Sequence, residues 1–371
     1  MRIVIAGGSM AGLFAAALLA RAGHTVDVFE RSRHGLAGRG AGLVAQGEVG
    51  ALLGRIGRAD AARVGVTASE RIILGDDGSI AHRDPIPQMQ ISWDHLYTVL
   101  REEVPEASHH TGIAVTAATE DGRVTLSDGR TLEADLVIGA DGIGSALRAA
   151  VAPGAGGPRY AGYVAWRFLI PEAALPPAAR MLSGRFAFHH AEGAQALGYL
   201  VPGPAGETAP GARRYNAVWY RRAADLAATL TDADGRRHPF SLAPGQLPAA
   251  ARARLVAAAR AALPPAFAAV VAAEPAPFVQ AIFDMDTPAM ARGALALIGD
   301  AAFVVRPHTA MGVAKAAGDA MALADALSPP PAPAALPGVL EAWARPRLRF
   351  GRAVLTRGLR LGAALEPQPA A

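Results

Sequence analysis

Cysteine is absent from the 371 residues, and lysine is reduced to Lys315 alone. Without a thiol, a disulfide scaffold, a thiolate metal site, an iron–sulfur cluster and a cysteine nucleophile are all excluded. Charged residues are also scarce, at 18% against a usual share of about 25%. Of the 36 basic residues 35 are therefore arginines, scattered without a run of five or six, so the net charge of +4 marks no nucleic-acid-binding stripe. Long apolar runs are almost missing. The one exception, Ile3–Ala20, is broken by Gly7-Gly8-Ser9 and followed by a second strand-like run at Thr25–Glu30, which opposes a signal peptide or membrane span. A cytoplasmic protein with no nucleic-acid partner and no stable membrane association is expected.

What is present favours a large core. Hydrophobic residues reach 51%, which excludes wholesale disorder, and 41 glycines with 28 prolines imply many turns without a collagen period. The chain opens with strand, glycine turn, helix and strand over residues 2–29. A hairpin over 70–82, a helix over 92–103 and a small meander lead to the apolar strand Leu136–Ile138. From about residue 153 short aromatic strands separated by proline-rich turns take over. Ala294–Ile298 then restores the first texture, and helices over 312–327 and 340–361 flank a proline-rich linker. The expected fold is α/β: a Rossmann-like dinucleotide-binding domain from residues 1–152 and 285–327, interrupted by a mixed or antiparallel β-sheet substrate domain at 153–284, with a C-terminal helical segment at 328–371.

The turn Gly7-Gly8-Ser9-Met10-Ala11-Gly12 carries the dinucleotide pattern with serine at the second glycine position. Gly7 permits the tight turn, Gly12 lets helix and strand approach, and the helix N-terminus offers free N–H groups to a pyrophosphate. Glu30 ends the next strand, where a carboxylate binds a ribose diol. NAD and FAD both remain open on this motif alone.

Further motifs follow in order: Gly139-Ala140-Asp141-Gly142-Ile143-Gly144-Ser145 with Arg148, then Gly299-Asp300, Pro307 and Gly312. Together with Gly7–Gly12 and Glu30 they resemble the single-component FAD-dependent aromatic hydroxylases of the p-hydroxybenzoate hydroxylase fold. Tyr160–Arg167 and Arg306-Pro307-His308 are similar to the branch of 2,6-dihydroxypyridine 3-monooxygenase-like proteins. The resemblance spans nearly the whole chain. It departs from the family where a glycine is replaced by Ala310, a frequent asparagine by Ala314 and an arginine by Trp93.

The resemblance implies FAD as cofactor, NAD(P)H as co-substrate, and O2 transferred through a flavin C4a-hydroperoxide to an electron-rich aromatic or N-heteroaromatic ring. It assigns cofactor contacts to Gly7, Ser9, Met10, Ala11, Gly12, Glu30, Arg31, Arg39, Gln46, Asp141, Asp300, Pro307, Ala310, Met311 and Gly312. Asp300 would bind a ribityl hydroxyl, and the Gly312 helix would aim its positive end at the flavin edge that becomes anionic on reduction. No metal ligand set is expected. A base of near-neutral pKa is needed to activate the ring, with His308 and His190 as candidates. Trp166, Arg167, Tyr199, Trp219 and Tyr220 are candidate pocket walls. Two alternatives stay open: a flavin-dependent reductase or oxidase of a larger natural product, and a flavin-binding protein without turnover. A monomer or homodimer is expected.

Overall fold

The computed structural model describes residues 1–36, 38 and 40–367; Arg39 thus lies outside the described residues. Among these residues the strands form two large sheets and two small ones. The first large sheet has the order Ala291–Arg292, Leu295–Leu297, Leu136–Gly139, Arg2–Ala6, Thr25–Glu30, His109–Thr111. Every pairing after the first is parallel. Its central strands read as unbroken apolar runs because helices cover both faces, and Ile3, Val4, Ile5, Leu136, Val137 and Ile138 are fully buried. The Ile3–Ala20 run is thereby accounted for as a central strand and the helix Met10–Arg21. No helix among the described residues is long and apolar enough to cross a membrane.

The second large sheet runs Ser241–Leu242, Phe278–Asp284, Arg159–Pro171, Arg214–Arg222, Ala194–Val201, Phe186–Ala191, Arg71–Leu74, Ile80–Asp84. It is antiparallel except where Phe186–Ala191 meets Arg71–Leu74. The hairpin formed by these last two strands sits in sequence among the first 152 residues, yet its backbone hydrogen bonds go to the second sheet. Edge pairing is non-local, so sequence order could not assign it. One face of this sheet packs on helices Ala249–Ala262 and Pro265–Ala273 through Trp166, Phe168, Ala217 and Trp219. The second of these helices is apolar on all sides, which hides the helical period from sequence. The glycine-rich loop yields a short strand, Gly42–Val44, paired with Gln88–Ser92. The C-terminal helix spans Leu336–Gly362, starting four residues before the expected position.

Candidate active site

Parallel pairing puts the C-terminal ends of adjacent strands side by side. The register aligns Ala6 with Phe29 and Gly139, and Gly139 with Leu297. The groups that follow, Gly7, Glu30, Ala140-Asp141 and Gly299-Asp300, therefore emerge along one edge, where α/β folds bind nucleotides. Two stretches nearly three hundred positions apart meet there. A Cβ placed on Gly299 would lie 2.8 Å from Ala11 Cβ. Arg148 ties the edge together: its Nε donates to Ala301 O (2.9 Å), and Nη2 reaches the carbonyls of Ile143 (2.9 Å), Gly142 (3.2 Å) and Asp300 (3.4 Å). Its guanidinium is committed to protein backbone.

The glycine turn fits a dinucleotide for reasons visible in its packing. Gly7 has φ +103°, where a side chain would be strained. A Cβ on Gly12 would come within 1.9 Å of Gly7 O, and one on Gly8 within 2.8 Å of His109 Nε2. Ser9 caps the Met10 helix by position alone, for its hydroxyl makes no capping bond, and no acidic residue occupies the first turn. The leading N–H groups and the Ser9 hydroxyl thus remain available to a phosphate. Glu30 is buried and accepts from Gly8 N (2.9 Å) and Ser32 N (2.8 Å), which fixes its carboxylate at the strand end. Arg31 beside it is exposed.

Asp141 is turned inward. Oδ2 accepts from Ala146 N (2.7 Å), Oδ1 is buried without a partner, and burial pushes the carboxyl pKa up. The Asp300 carboxylate, by contrast, is 53% exposed above the buried strand end, with the buried Lys315 Nζ at 3.9 Å. Lys315, the lone lysine of the sequence, was missed as a neighbour of Asp300. Its position fifteen residues on, one turn into the next helix, was the available signal.

Downstream, Pro307–Thr309 forms a tight turn ending at Ala310, whose φ of +54° makes it the one non-glycine residue with positive φ among the described residues. This is the place where the resembled family carries glycine. Gln46 Nε2 donates to Ala310 O (3.4 Å), and Met311 N donates to Thr309 Oγ1 (3.2 Å). The helix opening at Gly312 has neither a side-chain cap nor an acidic first turn, so its N-terminal N–H groups too are free for a ligand.

The two histidine candidates part company. His308 Nε2 and Tyr163 OH are 2.8 Å apart, and the His308 ring lies 4.6 Å from that of Tyr220. Burial, helped by the nearby Arg306 charge, pushes His308 down to about 4. It is not the near-neutral base expected from sequence, because a cation there would be both desolvated and repelled. Arg306 itself is 2% exposed and doubly bonded to Asp284 (2.9 and 2.7 Å), with Glu366 at 2.6 Å. His190 shares the sheet face but is exposed, stacked on Phe188 and 3.4 Å from Gln195. Register sets it two strands from Tyr220, roughly 10 Å away, so the structure does not bring it to His308. Tyr163, quoted within a motif but given no role, is the partner that alternation with Ala165 and Arg167 could have revealed.

The same alternation corrects the pocket walls. Trp166 and Trp219 lie on the helix-covered face, whereas Arg167, Tyr199 and Tyr220 lie on the face meeting Gly42 and His308. No group of three or more metal-binding side chains occurs among the described residues.

Residues 256–358 match the FAD binding domain family, 160–284 the FAD binding domain-like family, and 5–52 the NAD(P)-binding Rossmann-like domain family. The 2,6-dihydroxypyridine 3-monooxygenase of Paenarthrobacter nicotinovorans is 32% identical over 98% of this chain and 91% of its own length. The chain belongs to the FAD-dependent monooxygenase family. The solved 2,6-dihydroxypyridine-3-hydroxylase from Arthrobacter nicotinovorans superposes with a TM-score of 0.89 at 30% identity, covering 98% of this chain and 92% of that one. The 3-amino-4-hydroxybenzoate 2-monooxygenase of Streptomyces cremeus is 34% identical over 47% of this chain and 48% of its own. This flavoprotein monooxygenase uses FAD as cofactor and NAD(P)H as co-substrate.

Proposed function

We propose that this monooxygenase hydroxylates a small electron-rich ring, a hydroxypyridine or a phenol, in the cytoplasm, as a monomer or homodimer without a nucleic-acid partner. The observation that carries the reading is the close approach of Gly299 to Ala11, which brings the strand end before Asp300 to the N-terminal glycine turn. We read 1–152 and 285–327 as the FAD unit, less the Arg71–Asp84 hairpin, 153–284 as the ring-binding unit, and 328–371 as a helical cover. The relatives' named substrates, a dihydroxypyridine and an aminohydroxybenzoate, support the ring class.

In this reading Ser9, Met10, Ala11 and Gly12 hold the pyrophosphate by backbone N–H groups, and Glu30 takes the adenosine ribose. Asp300 takes a ribityl hydroxyl; desolvation pushes its carboxyl pKa up, and Lys315 Nζ at 3.9 Å opposes that rise. The free N–H groups at Gly312 favour negative charge on the reduced ring. Bound FAD supplies hydride acceptance from NAD(P)H and activation of O2. His308 stays neutral at neutral pH and shares one proton with Tyr163, whose own pKa burial raises. That pair orients a ring hydroxyl and does not draw off its proton. The Tyr199–Tyr220 face, mostly buried, excludes water so that the oxidant is not spent without product.

The purified protein should be yellow, and 2,6-dihydroxypyridine should accelerate NAD(P)H oxidation and gain one oxygen atom by product mass. NAD(P)H consumption with no oxygen incorporated across a panel of hydroxypyridines and phenols would favour the reductase or oxidase alternative.

A further inference from the structure

The sheet face between Gly42–Val44 and the 306–311 loop is arranged in rows by its register. The middle row runs Arg167, Val218, Leu197, Phe188, three apolar side chains beside one cation. The row toward His308 is Ala165, Tyr220, Gln195 and His190, and the row toward Gly42 contains Leu169, Asn216 and Tyr199. The other arginines of this face are engaged: Arg71, opposite Phe186, donates to Gln88 Oε1 (2.7 Å). Arg214 donates to Asp94 Oδ2 (2.7 Å) and Ser92 Oγ (2.8 Å), and Arg222 donates to Glu366 O (3.1 Å). Arg167 differs. It is half-buried, and among the described residues no carboxylate or hydrogen-bond acceptor engages its guanidinium; the groups that feel its charge are the Tyr199 and Tyr220 hydroxyls. The other titratable groups facing this surface are His190, the outer-strand His82 and Asp84 and, past Tyr163, His308 with the Asp284–Arg306–Glu366 set, in which Arg306 Nη1 is buried without a partner.

An arginine cannot shed its charge, and a partly desolvated cation without a counter-ion is costly unless a ligand provides one. Resting on the hydroxylase reading above, we propose that Arg167 is the substrate's anchor: it binds an anionic oxygen of the ring, so the site selects rings with an acidic hydroxyl or a carboxylate over neutral rings. This also answers how the ring is activated when His308 is held too acidic to act as base. The guanidinium lowers the pKa of the bound hydroxyl, the O–H proton leaves to solvent as the ring binds, and the electron pair left on oxygen enriches the ring for attack by an electrophilic oxygen. Tyr199 and Tyr220, kept protonated by burial, flank the cation as hydrogen-bond donors.

The test uses FAD-loaded enzyme and two matched probes, 2,6-dihydroxypyridine and 2,6-dimethoxypyridine, the second unable to ionise. Binding is followed by perturbation of the flavin spectrum from mildly acidic to mildly alkaline pH. Wild type should prefer the dihydroxy probe, with release of a proton seen as buffer-dependent binding heat. In Arg167→Met its affinity should fall roughly 10- to 100-fold, the size of a charge-assisted hydrogen bond. The pH midpoint of binding should rise, and the dimethoxy probe should be unaffected. Arg167→Lys should recover part of the loss. Equal loss for both probes, or unchanged binding and pH midpoint in Arg167→Met and in Arg167→Gln at full flavin content, would overturn the anchor role and leave the hydroxylase reading standing. Wild-type enzyme that binds neither these probes nor any other hydroxylated ring would overturn both.

Discussion

In the parallel-sheet half the groups proposed to meet the ligand are mostly backbone: the N–H groups that open the helices after Ser9 and at Gly312. In the antiparallel sheet the proposed groups are side chains, Arg167, Tyr199 and Tyr220, which share one face of neighbouring strands. A backbone site needs glycines where a Cβ would collide, so it leaves a motif in the sequence. A side-chain site needs only the right face and row, and those depend on pairing. The nucleotide half is consequently intolerant of added atoms, and the ring half is tunable by substitution.

The sharpest way to break the contrast is Gly12→Ala, whose Cβ would sit 1.9 Å from Gly7 O. Overpacking of about 2–3 kcal/mol predicts roughly 100-fold weaker flavin retention, read as flavin per protein after dialysis. Tight retention would mean that the turn has slack. Asp300→Ala should weaken retention by about tenfold, through one lost charge-assisted bond. An unchanged flavin content would remove Asp300 from the cofactor site.

The ring half can be probed by pH. A folded-state His308 pKa of about 4 lies below its ordinary 6.5, so the unfolded chain binds the proton more readily. Stability is then full above about pH 6.5 and falls as pH drops toward 4, by something on the order of 2–3 kcal/mol. His308→Gln should flatten that part of the melting-temperature profile; an identical slope in the variant would assign the loss to other groups. The smallest expected effect is at Ala310. Glycine there relieves about 1 kcal/mol of left-handed strain, partly offset by greater unfolded-state freedom. A melting temperature raised by roughly 1–2 °C is expected, and a fall would show that the alanine methyl is packed and needed.

Much of this was legible in advance, and unevenly. Gly7 and Gly12 follow a pattern that steric necessity writes into the chain, and the apolar strands at residues 2–6 and 136–139 carry their burial on their face. The Arg71–Asp84 hairpin was placed with its sequence neighbours, although its hydrogen bonds go to the distant Phe186–Ala191 strand. Trp166 and Trp219 were candidates for the pocket wall as well as the core, because aromatic character is visible in a sequence and the face it occupies is not. His190 and His308 looked alike as histidines; only burial beside Arg306 and contact with Tyr163 distinguish them.

By itself, then, the amino-acid sequence determined the α/β fold class and a dinucleotide cofactor, since close backbone approach restricts residue type locally. Which histidine is buried beside Arg306, which arginine has no counter-ion among the described residues and which aromatic rings share a face with His308 were decided by tertiary structure. Charge, burial and sheet face are properties of neighbours brought together by non-local pairing, and they are not carried by any short stretch of chain.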